Sequence, residues 1–308
     1  MKRYIIPTLW IAFMANALKI RTLFTVAFLI ASLFSARISA QTPYVIKDTD
    51  ASRYTYETLE TSVGTLNYRK LSPRKSQEKY PLVIFLHGAG ERGDDNARQL
   101  IHGSKIFADS SEKYPAYVLF PQCDTHQYWA YSSRPDNLDA TTFPVSYDIS
   151  NTITMVRELI DRYLAQPDID SNRVYISGLS MGGFGTFDIV CRYPEIFAAA
   201  IPICGGVNPA RLTGDGVKNV YWRIFHGAVD VIVPVSNSRK ADSALAMLGA
   251  DVEYIEYPDV NHNVWDYVFV RPDYLSWLFG KMRKAIITNS ETPDKDIPVK
   301  GQTVEIGR

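Results

Sequence analysis

From Pro81 onward the chain alternates between two kinds of text. LVIFLH (82–87), YVLFPQ (117–122), VYISG (174–178), AAAIPIC (198–204), VYWRIFHG (220–227) and VEYIEYP (252–258) are short, nearly continuous apolar runs. Strands buried on both faces of a parallel sheet read this way. Between them lie segments of helical period. Ile149, Ile153, Val156, Ile160 and Leu164 recur every three or four residues, and Pro167 follows their end. Helices are also predicted over 181–193, stopped by Pro194, and over 236–248, with Gly249 as a left-handed stop. A last one is predicted over 272–282, with Pro at its start. Before Pro81, residues 54–59 and 63–71 alternate polar and apolar around Gly64, which predicts an antiparallel pair. Strand–helix alternation with short connections gives an α/β fold, a mostly parallel sheet with helices on both faces.

Residues 1–40 stand apart from this pattern. They hold Lys2, Arg3, Lys19, Arg21 and Arg37 and no acidic residue. Two apolar runs, 4–18 and 22–36, each fall short of the about 20 residues a membrane span needs. The second run follows Lys19 and Arg21 and leads into Ile38-Ser39-Ala40, the form of a secretory signal cleaved near Ala40–Gln41. The first run becomes surplus if translation starts at Met14. An uncleaved anchor is the competing reading. The expected product is secreted or periplasmic, with no membrane association after signal removal. It has one domain over 41–284 and a polar, aperiodic tail over 285–308.

The 33 basic and 33 acidic side chains cancel only because of that leader. Without its five cations, 28 basic residues face 33 acidic ones, a mildly acidic body with no electrostatic footprint for nucleic acid. Cys123, Cys191 and Cys204 allow at most one intramolecular bridge and lack metal-ligand spacing, so no metal is expected.

Candidate chemistry centres on Gly178-Leu179-Ser180-Met181-Gly182, placed directly after a predicted strand and before a predicted helix. In that context G-x-S-x-G is a nucleophile elbow, a strained turn that lifts a serine hydroxyl out of the sheet. A serine needs a base, and the base needs an orienting carboxylate. In such folds these follow the serine as acid, then histidine. His87, His102 and His126 precede Ser180, and His226 lies at a strand end before any suitable acid, where a structural role fits better. His262 remains as the base. Asp230, in the loop after the 220–227 run, is the candidate acid; Asp215, Asp251 and Asp259 are placed less well. Oxyanion donors are expected from the amides of Met181 and of Ala89, with Gly88 or Gly90 as the alternative to Ala89, in the glycine-rich loop His87-Gly88-Ala89-Gly90-Glu91-Arg92-Gly93. That loop also matches G-x-G-x-x-G, so a dinucleotide site is a remote alternative. Trp129 and Trp265 are candidates for lining a substrate pocket, with core packing as the equal alternative for each.

Taken together, LVIFLHGAGERGDDN, LFPQC, RVYISGLSMGGFGTFDI, IPICGG, FHGAVDVIVP and DVNHNVWDY, spread over residues 80–282, resemble the α/β-hydrolases of the dienelactone-hydrolase and feruloyl-esterase-like group. The resemblance implies an eight-stranded-type sheet, Ser180 as nucleophile, Asp230 as acid, His262 as base, and no cofactor. It implies hydrolysis of carboxylic esters, with feruloyl or acetyl esters of polysaccharide as candidate substrates. A serine peptidase of prolyl-oligopeptidase type without a propeller needs only a different pocket and stays open. A non-catalytic binding protein has no need of this residue set.

Overall fold

The computed structural model describes residues 51–130 and 138–284. The expected leader, its cleavage point and the tail lie outside these residues. The described residues form one eight-stranded sheet: β1 (Thr55–Thr61), β2 (Gly64–Leu71), β3 (Tyr80–Leu86), β4 (Tyr117–Pro121), β5 (Ile169–Leu179), β6 (Ala199–Ile203), β7 (Tyr221–Gly227) and β8 (Asp251–Tyr257). Their order across the sheet is β1-β2-β4-β3-β5-β6-β7-β8. β2 is antiparallel to both β1 and β4, and every pairing from β4 to β8 is parallel.

The continuous apolar runs are explained by two cores, one on each face. Along β3, Leu82, Ile84 and Leu86 enter one core while Val83 and Phe85 enter the other. β4 repeats the division, with Leu119 on the first side and Val118 and Phe120 on the second. The helices Asn151–Leu164, Met181–Arg192 and Ser236–Leu248 contribute to the first core. Ser104–Asp109, Trp265–Val268 and Tyr274–Phe279 contribute to the second. The edge strand β1 is largely exposed, and its sequence TYETLET is correspondingly polar.

Helix ends follow the expected chemistry. The Ser150 hydroxyl accepts the Ile153 amide at 3.2 Å, and Gly249 stops its helix at φ +77°. Two expectations need correction. β5 starts at Ile169 rather than 174, because the polar residues 170–173 continue the strand past a register irregularity against Tyr80–Leu82. The closing helix is only Tyr274–Phe279, because Asp273 is held by Arg271 and Arg223 and the chain turns there. The six-residue helices Ser104–Asp109 and Gly214–Asn219 are too short for periodicity to reveal.

β5 lies between β3 and β6, and its last residue, Leu179, pairs with Ile203. The helix after it crosses so close that a Cβ on Gly182 would sit 1.9 Å from the Leu86 carbonyl oxygen, and one on Gly178 2.4 Å from the Gly182 carbonyl oxygen. Neither obstacle is a flexible side-chain end. Gly182→Ala is therefore expected to destabilise the protein by about 3 kcal/mol or more, since overpacking here must move backbone. Differential scanning calorimetry should show a melting temperature lower by roughly 6–12 °C; an unchanged value would contradict the close approach.

Candidate active site

Ser180 sits at φ +53° and ψ −118°, a conformation few non-glycine residues adopt. The strand ends and the helix begins on either side of it, so the side chain stands clear of the sheet. Its Oγ lies 2.9 Å from His262 Nε2. His262 Nδ1 lies 2.7 Å from Asp230 Oδ2. The structure thus brings together the three residues expected as nucleophile, base and acid. They come from the turn after β5, the loop after β8 and the loop after β7.

The Asp230 side chain is fully buried, and four protein donors converge on it. Oδ1 accepts the amides of Ile232 and Val233, both at 2.9 Å. Oδ2 faces His262 and, at 3.3 Å, Nε2 of the buried His226. Burial pushes a carboxyl group up. Here the bonds from His226, His262 and the Val233 amide outweigh it and hold Asp230 well below the usual carboxylate range. His226 Nε2 is also 3.0 Å from the Val233 carbonyl, which can only accept, so this nitrogen carries a proton. Nδ1 lies 2.7 Å from the Ser238 hydroxyl. The structural role expected for His226 is thus specific: it fixes both the acid and the loop around it. Sequence order excluded it as the base and gave no sign of this contact.

The glycine-rich loop is not the start of a long helix. Ala89–Glu91 forms one 3₁₀ turn, which leaves no helix to seat a pyrophosphate. The loop is anchored from behind by His87, which is buried. Its Nδ1 lies 2.6 Å from the Gly88 carbonyl, its Nε2 accepts the Cys123 amide at 3.0 Å, and its own carbonyl accepts Trp129 Nε1 at 3.0 Å. Ala89 and Met181 both line the cavity that holds Ser180.

That cavity measures about 400 Å³. One wall is apolar: Ala130, Phe143, Phe184 and Val233 form a small cluster of their own, with Leu138 packed against it. Arg92 and Tyr128 also line the cavity. Trp265 lines the cavity and meets the His262 ring edge-on, with centroids 5.3 Å apart. Trp129 does not line it. It is fully buried and packs against His87 and Gly185, so its neighbour Tyr128 takes the position expected for it. Among the described residues the three cysteines are free. Burial pushes the Cys204 thiol well up. Cys204 lies with Asp230 and His262 in a cluster of metal-ligand size, but those two partners are already bonded to each other.

A family model described as phospholipase/carboxylesterase matches residues 72–270. A poly(3-hydroxyalkanoate) depolymerase C from Paucimonas lemoignei is 28% identical over 149 residues, 47% of this chain and 33% of that protein. A probable carboxylesterase from Oryza sativa subsp. japonica is 23% identical over 202 residues, 61% of this chain and 83% of that protein. Among solved structures, a thermostable esterase is 33% identical with a TM-score of 0.68, over 76% of this chain and 64% of that one. The chain thus spans a third of the depolymerase and under two thirds of the solved esterase.

Burial pushes the His87 imidazole down to about 4. Unfolded histidine titrates near 6.5, so between about 4 and 6.5 the unfolded chain binds the extra proton. Stability contributed by His87 is therefore complete above this window and lost as pH falls through it. His87→Gln is expected to flatten that limb by up to about 1.4 kcal/mol per pH unit. Urea titrations at several pH values would show it, and parallel limbs in both proteins would refute the assignment.

Proposed function

Since the chain belongs to the phospholipase/carboxylesterase family of α/β-hydrolases, we propose that it is a serine esterase acting through Ser180, His262 and Asp230. The observation that carries this reading is the strained Ser180 elbow, with its hydroxyl in hydrogen-bond reach of an imidazole that a buried carboxylate orients. His262 Nε2 takes the Ser180 proton as Oγ attacks the acyl carbon. Asp230 accepts from Nδ1–H, keeping the imidazole in the tautomer whose Nε2 is free to act and stabilising the imidazolium. The carbonyl oxygen, now negative, is received by the amides of Met181 and Ala89. His262 returns its proton to the departing alkoxide, leaving an acyl-enzyme and a free alcohol. Water then adds to the acyl carbon, losing a proton to His262, and the acid is released as Ser180 regains its hydrogen.

The acyl group lies against Phe143, Phe184, Val233 and Leu138, an apolar wall that suits acyl groups from acetyl to aromatic. Feruloyl and acetyl esters of polysaccharide are substrates of this kind, and Trp265 offers them a further flat surface. Export by residues 1–40 places the enzyme where such polymers are. A mature N-terminus at Gln41, read by protein sequencing of the secreted or periplasmic form, would support export, and an intact leader would overturn it.

Hydrolysis of p-nitrophenyl butyrate tests the assignment directly. Ser180→Ala is expected to lower kcat by more than about 10⁴-fold, and Asp230→Asn by about 10³ to 10⁴, with the fold retained by circular dichroism. Wild-type turnover that survives in Ser180→Ala would overturn the nucleophile.

A further inference from the structure

An ester has two sides, and the cavity beside Ser180 is lined by residues of two chemical kinds. The cluster of Phe143, Phe184 and Val233 accounts for the acyl side. The same cavity is lined by Arg92, half-buried, in a position that needs an explanation of its own. Its Nε donates to the Ala89 carbonyl at 3.0 Å and its Nη1 to the Gln127 carbonyl at 3.4 Å. The guanidinium lies over the Tyr128 ring, 4.6 Å from its centroid. These contacts fix its plane and use two of five N–H donors. Neither acceptor is charged.

Glu91, Asp95 and Asp124 have other partners. Glu91, the preceding residue, turns beneath Gly88, with its carboxylate 3.6 Å from His102 Nε2. Asp95 takes Gln122 Nε2 at 2.7 Å and the Ala97 and Arg98 amides. Asp124 takes the His126 amide at 2.8 Å. Among the described residues no carboxylate pairs with Arg92, and the hydroxyl of Tyr128 has no bonding partner. A cation held rigid at the wall of a reaction cavity, with its remaining donors unmatched and a phenol beside it, is complementary to a planar anion.

We infer that Arg92, with Tyr128, forms a subsite for a carboxylate on the alcohol portion of the ester. The inference rests on the proposed Ser180 chemistry and narrows it: the preferred substrate is an ester of a hydroxy acid whose free carboxylate docks on Arg92 while the acyl group meets the Phe143–Phe184 wall. The leaving group then departs as a hydroxycarboxylate. Arg92 is a positioning residue here, since it touches the substrate away from the reacting atoms.

The test compares 4-acetoxybenzoate with methyl 4-acetoxybenzoate, in which a methyl ester replaces that charge, and follows release of the phenol in both. Wild type is expected to prefer the free acid by about tenfold or more in kcat/KM, mostly through KM, and to lose that preference as salt is raised. Arg92→Gln should bring the ratio close to one, and Arg92→Lys should keep part of it. Because each ratio is taken within one protein, a general loss of activity through the Ala89 loop cancels. Equal ratios in wild type and Arg92→Gln, or a wild-type preference for the methyl ester, would overturn the subsite. A carboxylate preference seen only on the acyl side, with 4-nitrophenyl hydrogen adipate over 4-nitrophenyl heptanoate, would overturn its assignment to the alcohol. Failure of Ser180-dependent hydrolysis on p-nitrophenyl butyrate itself would instead remove the esterase reading on which the subsite depends.

Discussion

Ser180 can hold φ +53° only because its surroundings leave the backbone no other course. Its amide donates to the Ile203 carbonyl at 2.9 Å, which fastens the turn to the end of β6. Its carbonyl accepts the Phe184 amide at 3.1 Å, which starts the following helix. Between these anchors the strand and helix pass at a distance that side chains at 178 and 182 would prohibit. The sheet order depends on the same closeness. β3, β5 and β6 must lie side by side for the Leu86 carbonyl to meet Gly182 and for Ile203 to hold Ser180. The strain is local, and the two buried cores on either face of the sheet supply the stability that maintains it.

A second constraint acts on the Asp230 loop, where ordinary burial is inverted. The charged side chain is enclosed, while Val229, Val231 and Ile232 are exposed. A carboxylate out of water is tolerated only when donors replace the lost hydration. Two loop amides and two imidazoles do so here, and the chain must wrap around the carboxylate to present them. The aliphatic neighbours are turned outward as a result. His226 is what closes the arrangement: it spans Ser238, the Val233 carbonyl and the carboxylate, and so ties the loop to the helix that follows.

Much of this was legible in the sequence because both principal signals are local. Apolar runs without alternation require a sheet covered on both faces, and β3 shows why, with neighbouring residues entering opposite cores. Ser180 could be found because an elbow needs small residues at fixed offsets within a few positions. Asp230 and His262 followed from chain order, which a parallel sheet enforces by placing loops after successive strands on one edge. What stayed hidden depends on contacts between distant segments. Nothing near His226 announces that its ring reaches a carboxylate four residues on. Trp129 and Tyr128 are adjacent, and which of them faces the cavity is decided by Gly185, whose missing side chain leaves room for the Trp129 ring. The short helices escaped because six residues do not complete two helical turns.

The division of the cavity follows from the same fold. The loop after β3 carries Ala89 and Arg92 together, three residues apart and joined by the bond from Arg92 Nε to the Ala89 carbonyl. The segment after β4 supplies the Tyr128 ring on which that guanidinium lies. The apolar wall comes from elsewhere: Phe143 from the segment leading to the Asn151–Leu164 helix, Phe184 from the elbow helix and Val233 from the Asp230 loop. Phe184 and Val233 therefore sit on the same elements as Ser180 and Asp230. Phe184 cannot shift without the helix that starts at Ser180, nor Val233 without its amide leaving Asp230. In the proposed esterase, changes in acyl preference at those two positions are thus coupled to catalysis. Tyr128 makes no bond to Ser180, His262 or Asp230, so its side chain can change without removing a hydrogen bond from any of the three, whereas Arg92 is tied to the Ala89 loop.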